Sequence, residues 1–166
     1  MDVLSILTIV GTVASIGAAW VAINQARKSR TAAEEAKKVR AQLVDHRKTS
    51  DLAQVQSLCK KAQKSMEKYG PGSVPSSLAG ITPNNDARDV QEFIMSVREH
   101  SAYFGNKTPN EADEYCNVVT PLLDSFAQAT NPEGWRDHGK QIVVHLANMA
   151  AIIKRCLDAR KETYRR

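Results

Sequence analysis

Apolar residues fall into two regimes along this chain. From Val3 to Ile23, VLSILTIVGTVASIGAAWVAI, twenty-one residues pass without a charge. As a helix this run reaches ~31 Å at 1.5 Å per residue, close to the ~30 Å hydrocarbon thickness of a bilayer. Beyond it the apolar positions thin out and recur every three or four residues, the spacing of helices with one buried face. Period-2 alternation is nowhere sustained, so the expected class is all-α.

The segment NQARKSRTAAEEAKKVRAQLVDHRKTSD that follows is rich in Ala, Glu, Lys and Arg, and no Gly or Pro occurs from Asn24 to Tyr69. The membrane helix is expected to continue as one rod to about Lys48. Its stripe of Ala26, Ala33, Ala36, Val39 and Leu43 is too thin for a stable isolated helix. Self-association, packing on the domain or an oligomer would support it.

Thr49-Ser50-Asp51 then offers an N-cap for a helix carrying Leu52, Val55, Leu58, Cys59, Ala62 and Met66. Gly70-Pro71-Gly72 stops it, and residues 70 to 85 form a long loop with room for mobility or function. Asn85 or Asp86 would cap the next helix, which carries Val90, Phe93, Ile94, Val97 and Phe104 and stops near Gly105. Thr108-Pro109-Asn110-Glu111 reads as a capping box with proline at the first helical position. The helix behind it carries Tyr115, Val118, Val119, Leu122, Leu123 and Phe126, with Pro121 expected to kink it or shift its register.

Asn131-Pro132-Glu133 starts the last helix, which runs to about Thr163. Its stripe reads Trp135, His138, Ile142, His145, Met149, Ile152 and Cys156, flanked by Val143, Leu146, Ile153 and Leu157. The predicted organisation is a transmembrane helix over 1–25, a basic juxtamembrane helix over 26–49 and an antiparallel cytosolic helical bundle over 50–166.

Charge sharpens the membrane reading. The net +5 is carried by residues 27–69, with twelve Lys/Arg against five Asp/Glu, whereas residues 70–166 hold eleven against twelve. The basic character thus lies beside the apolar run, which favours a lipid surface over nucleic acid. Arg27, Lys28 and Arg30 come within a turn or two of the bilayer and are candidates for meeting anionic headgroups. Lys37, Lys38 and Arg40 stand beyond a Debye length of an upright rod. A secretory signal would carry positive charge before the apolar run, but only Met1-Asp2 precedes it. An uncleaved single span is therefore expected, N-terminus outside and C-terminus in the cytoplasm, with Trp20 as interfacial anchor.

Within the run, Thr8, Gly11, Thr12, Ser15, Ala18, Ala19 and Ala22 gather small residues on one side. Gly11-x-x-x-Ser15-x-x-x-Ala19 lets helix backbones approach closely, which points to homo-oligomerisation, although Gly and Ala are common in such helices anyway. In a ring of parallel helices Thr8, Thr12 and Ser15 could line a polar path; a dry, tightly packed dimer would bury the same residues.

Candidate chemistry is sparse. Cys59, Cys116 and Cys156 fall at apolar helical positions with no CxxC spacing, and read as buried thiols of a reducing compartment. His138 and His145, seven apart, lack metal-pair spacing and read as hydrogen-bonded histidines at the core margin. The absence of a phosphate loop, GxSxG, HExxH or carboxylate pair leaves catalysis unsupported, with no cofactor or metal expected. Arg40-x5-His46 resembles the arginine-to-histidine spacing of the HEPN helical ribonucleases, which implies at most a membrane-tethered ribonuclease.

The layout as a whole, VLSILTIVGTVASIGAAW followed by ARKSR and then a helical bundle, resembles compact bacterial membrane effectors of antiviral defence. Among these are accessory membrane proteins of CRISPR systems, which oligomerise and perturb the inner membrane. The resemblance implies a cytosolic sensing part, receiving an unidentified protein or nucleotide signal, coupled to a membrane segment that forms a pore or perturbs the bilayer. A non-catalytic membrane-anchored adaptor is the alternative.

Overall fold

The first helix never breaks at the expected cap. The computed structural model describes the backbone of residues 3–78, 80–105 and 110–163, and the side chains of Trp20 and residues 24–78, 80–105, 110–160 and 162. Among them are four α-helices and no strand, α1 (Val3–Met66), α2 (Pro83–Glu99), α3 (Glu111–Gln128) and α4 (Pro132–Thr163), as the all-α reading expected. The chain divides into two units, Met1–His46 and Arg47–Arg166.

α1 passes through Thr49-Ser50-Asp51 without interruption. A capping residue starts a helix only where the preceding chain is not already helical, and no Gly or Pro breaks the ladder here. Asp51 instead accepts a hydrogen bond from the Tyr103 hydroxyl at 3.0 Å.

The second unit is an antiparallel four-helix arrangement, and its side-chain contacts establish the directions. Going up α1, Asp51, Lys61 and Ser65 meet Tyr103, Glu92 and Asp89, in descending order. Cys116 of α3 reaches the Ile94 carbonyl, while Asn110, just before α3, reaches Ser101, just after α2. Glu111 of α3 pairs with Arg155 of α4, while Ala129, just after α3, accepts from Trp135 near the start of α4. Cys59 of α1 reaches the Leu146 carbonyl of α4, while Tyr69, just after α1, lies against Gly139 of α4. Each helix thus runs against its neighbours. Leu52, Val55, Cys59, Ala62 and Met66 of α1 fill the centre with Val90, Phe93 and Val97 of α2, Val119 and Phe126 of α3, and Ile142, Leu146, Met149 and Ile153 of α4.

Several boundaries differ from expectation for local reasons. α2 begins at Pro83, not behind Asn85 or Asp86, because proline's fixed φ suits the first helical position. It ends at Glu99, and a 3₁₀ turn over Ser101–Tyr103 carries Phe104 into the core. The cap of α3 is Asn110, two residues later than expected. Its side chain accepts from the amides of Ala112 and Asp113, both at 3.0 Å, and the Asn110 amide in turn donates to the Asp113 carboxylate. Thr108 and Pro109 lie outside the described residues.

Pro121 does not end α3. Its missing N–H orphans the carbonyl of Asn117, and both residues are exposed, so water can serve that oxygen. In α4 the buried line is Ile142, Leu146, Met149, Ile153 and Leu157; Trp135, Ile152 and Cys156 are only half-buried. The expected stripe lay one residue to the side, because α4 is wedged between α1 and α3 and turns its longest apolar line between them.

The connection after α1 is fastened at two points. Tyr69 ends a 3₁₀ turn over Glu67–Tyr69, and Leu78 sits in a second over Pro75–Leu78; both side chains are fully buried. Two large buried side chains in so short a connection make it a strap over the core instead of a free loop.

Candidate functional site

Two regions hold the chemistry that the sequence singled out, one in each unit. In the first, α1 supplies Trp20, Asn24, Gln25 and Lys28, which border an open hollow of about 390 Å³. Asn24 and Lys28, four and eight residues after Trp20, share its side of the helix. Trp20 is 68% exposed. Arg27, Lys28 and Arg30 are all exposed on the same helix, and Thr31 returns its hydroxyl to the Arg27 carbonyl at 3.1 Å. The expected face of Thr8, Gly11, Thr12, Ser15, Ala18, Ala19 and Ala22 belongs to α1, but those side chains lie outside the described residues. Among the described residues no helix is long and apolar enough to cross a membrane.

Further along, every residue from Asn24 to Arg47 is exposed. Arg40 and His46 are among them, ~9 Å apart along the axis and about a third of a turn apart around it, so they converge on no common point of one helix.

The polar groups of the second unit collect at the two ends of the bundle. At one end Tyr69 donates to Asp86 Oδ2 at 2.8 Å, and Lys68 Nζ reaches the same oxygen at 2.8 Å. Asp86 is 6% exposed and Tyr69 wholly buried, so burial first, and the bond to Asp86 second, hold the phenol protonated well above its ordinary range. A buried carboxylate with two donors is satisfied, and this one ties α2 to the end of α1. Beside it Lys61 bridges Asp89 at 3.0 Å and Glu92 at 2.8 Å, and Ser65 donates to Asp89.

Burial alone would raise the Asp89 carboxyl, but the hydrogen bonds from Ser65 and Lys61, with the charges of Lys61 and Arg88, outweigh it and hold it below the ordinary carboxylate range. A carboxyl depressed in the folded state adds stability above its unfolded pKa and loses it as pH falls through the folded value. Asp89→Asn should therefore lower stability at neutral pH and flatten the acid limb below about pH 4. Urea titrations of both proteins at neutral and acidic pH check this; parallel pH profiles would contradict it.

At the other end the Tyr103 ring lies 5.6 Å from the Arg160 guanidinium and 5.6 Å from the His100 ring. Its bond to Asp51, then burial, raises its pKa. Arg155 meets both carboxylate oxygens of Glu111 at 2.7 Å, an exposed pair worth ~0.2–1 kcal/mol.

The cysteines do not form a nucleophilic site. All three are free thiols, and burial pushes Cys59 up to about 12 and raises Cys116 and Cys156, opposite to what a reactive thiolate requires. His138 and His145 are half-buried at the margin of the core, as expected, but Nδ1 of His138 is buried without a hydrogen-bond partner, which corrects the expectation for that ring. The hydroxyl of Tyr115 is likewise buried and unpartnered. Among the described residues no group of three or more His, Cys, Asp or Glu could hold a metal ion.

An open hollow of about 490 Å³ is lined by Gln63, Lys64, Glu67, Gly70, Pro71, Val143 and Ala147. Its floor is apolar and its rim holds one charge of each sign, with no converging set of donors or acceptors. It can seat a side chain of a partner and has no groups arranged for a reaction.

Sequence reasoning missed the Tyr69–Asp86–Lys68 cluster. Asp86 looked like a cap because it stands at the start of an apolar-periodic segment. A Tyr immediately before a Gly-Pro stop was the signal available for a buried phenol. Neither a family model, nor a curated protein, nor a solved structure matches this chain.

Proposed function

We propose that the protein is an oligomeric single-pass effector of the bacterial inner membrane, N-terminus outside and bundle in the cytoplasm. In this reading helix 3–23 opens a pore or otherwise disturbs the bilayer when the bundle receives a signal, in the manner of antiviral membrane effectors. The observation that carries it is the charge-free run Val3–Ile23, long enough as a helix to span a bilayer, followed at once by exposed Arg27, Lys28 and Arg30. Each of these cations is worth ~1 kcal/mol beside anionic headgroups. Trp20, with Asn24 and Lys28 on its face, suits the interface between hydrocarbon and water.

The face Thr8, Gly11, Thr12, Ser15, Ala18, Ala19 and Ala22 is then where copies of the helix pack. Tethering alone needs no such face, and an adaptor would work equally well on any anchor. Membrane potential after induced expression separates the two. The wild type should depolarise the cells, and Gly11→Leu and Ser15→Leu should each abolish the effect, because a leucine side chain holds the helices apart. Unchanged potential in the wild type rejects the effector reading. Full function with an unrelated anchor in place of residues 3–23 supports the adaptor.

A further inference from the structure

The exposed stretch of α1 behind the basic cluster carries a seven-residue pattern that its own chain leaves uncovered. Ser29, Ala32, Ala36, Val39 and Leu43 follow one another at spacings of three, four, three and four, the alternation of a coiled-coil seam. All five are exposed, and the two large ones, Val39 and Leu43, are 53% and 66% exposed. A water-borne helix with a bare apolar line is poorly stable by itself.

We propose that this seam is covered by the same segment of further copies of the chain, lying parallel and in register, with Glu35 of one copy paired to Arg40 of the next. Charge points to a second copy as the occupant. With Ser29, Ala36 and Leu43 on one line of the seam and Ala32 and Val39 on the other, Glu35 and Arg40 flank it on opposite sides. They are five residues apart, the offset at which flanking charges of parallel, in-register helices meet. On a single helix the same two residues point ~140° apart and cannot pair. Lys28 and Gln42 flank the seam at the positions equivalent to Glu35, and their counterparts five residues on are Ala33 and Arg47, so no like charges are opposed.

The parallel sense rests on the membrane reading, since copies inserted with one orientation can only lie side by side. Counted back by sevens along the sequence, the same register arrives at Ala22, Ser15 and Thr8 on one line and at Gln25, Ala18 and Gly11 on the other. The seam would therefore continue from the water side into the lipid through one long polar position, Gln25. Leu43 and the β-branched Val39 occupy the two lines in the order that favours more than two strands. Ala26 and Ala33 widen the small-residue face on the side of Arg40.

Single cysteines placed in the full-length protein test this under mild oxidation in native membranes. Val39→Cys and Leu43→Cys should give at least tenfold more disulfide-linked dimer than Lys38→Cys and Ala41→Cys, which lie off the seam; the unsubstituted chain supplies the baseline of its native thiols. Glu35→Arg and Arg40→Glu should each lower the Leu43→Cys yield severalfold, and the two together should restore it. Equal yields at all four cysteines, or a maximum at residues 38 or 41, overturn the seam, as does a failure of the double charge reversal to recover. Fractionation of the same samples keeps the two readings apart. A membrane-bound chain without the preference sinks the seam alone, whereas the preference in a soluble chain supports the seam and sinks the membrane reading.

Discussion

Tyr69→Ala should destabilise the bundle by about 3–5 kcal/mol, the range for deleting a buried aromatic ring. The ring is fully buried and meets Phe126 edge-on, with centroids 5.0 Å apart and planes at 84°. Its hydroxyl is one of two donors to Asp86, so the truncation also leaves a nearly buried carboxylate with Lys68 alone. Tyr69→Phe separates the two contributions. It keeps the ring and removes only a hydrogen bond to a charged group, at about 1.5–3 kcal/mol. Urea unfolding of the full chain, followed by helical circular dichroism, measures both. A loss under ~1 kcal/mol for the alanine would mean that Tyr69 is not the peg joining the end of α1 to α2 and α3.

Gly139→Ala should lower stability even though alanine is the better helix former. In the interior of α4 the exchange gains about 1 kcal/mol of helix propensity. A Cβ at residue 139 would stand 2.6 Å from Cβ and 2.8 Å from Cγ of Tyr69. Those atoms are the rigid root of a buried ring, so relief requires α4 to move away from the end of α1. Overpacking of this kind costs about 1–3 kcal/mol. The expected net effect is a loss of up to about 2 kcal/mol, and Gly139→Leu should lose more. A stabilised Gly139→Ala protein would show that the close approach of α4 to Tyr69 is not kept in solution.

Much of this fold is written in local pattern. The periodic lines Leu52–Met66 and Val90–Val97 identify their buried faces because apolar residues spaced by three and four line up on one side of a helix and on neither face of a strand. The stop at Gly70-Pro71 and the start at Asn131-Pro132 are local chemistry as well. What stayed hidden depends on partners distant in the chain. Thr49-Ser50-Asp51 has the composition of a cap, but α1 arrives already helical and Asp51 is taken by Tyr103, fifty-two residues away. Asp86 likewise has the composition of a cap, and only the arrival of Tyr69 makes it a buried acceptor. Choosing between the two apolar lines of α4 requires knowing which helices flank it. Gly139 carries no signal until Tyr69 is set against it. In the candidate membrane site the charges behind the apolar run were legible, since exposure is what Lys and Arg adopt by default. The seam at Val39 and Leu43 was visible only as a weak stripe until its exposure on α1 was known.

Ion release from liposomes that contain only the purified full-length protein bears most directly on the claim that helix 3–23 acts on the bilayer. Trapped ions should escape from vesicles carrying the wild type and be retained by those carrying Gly11→Leu at equal protein content. Vesicles that stay sealed with the wild type inserted, under every trigger applied, would contradict that claim.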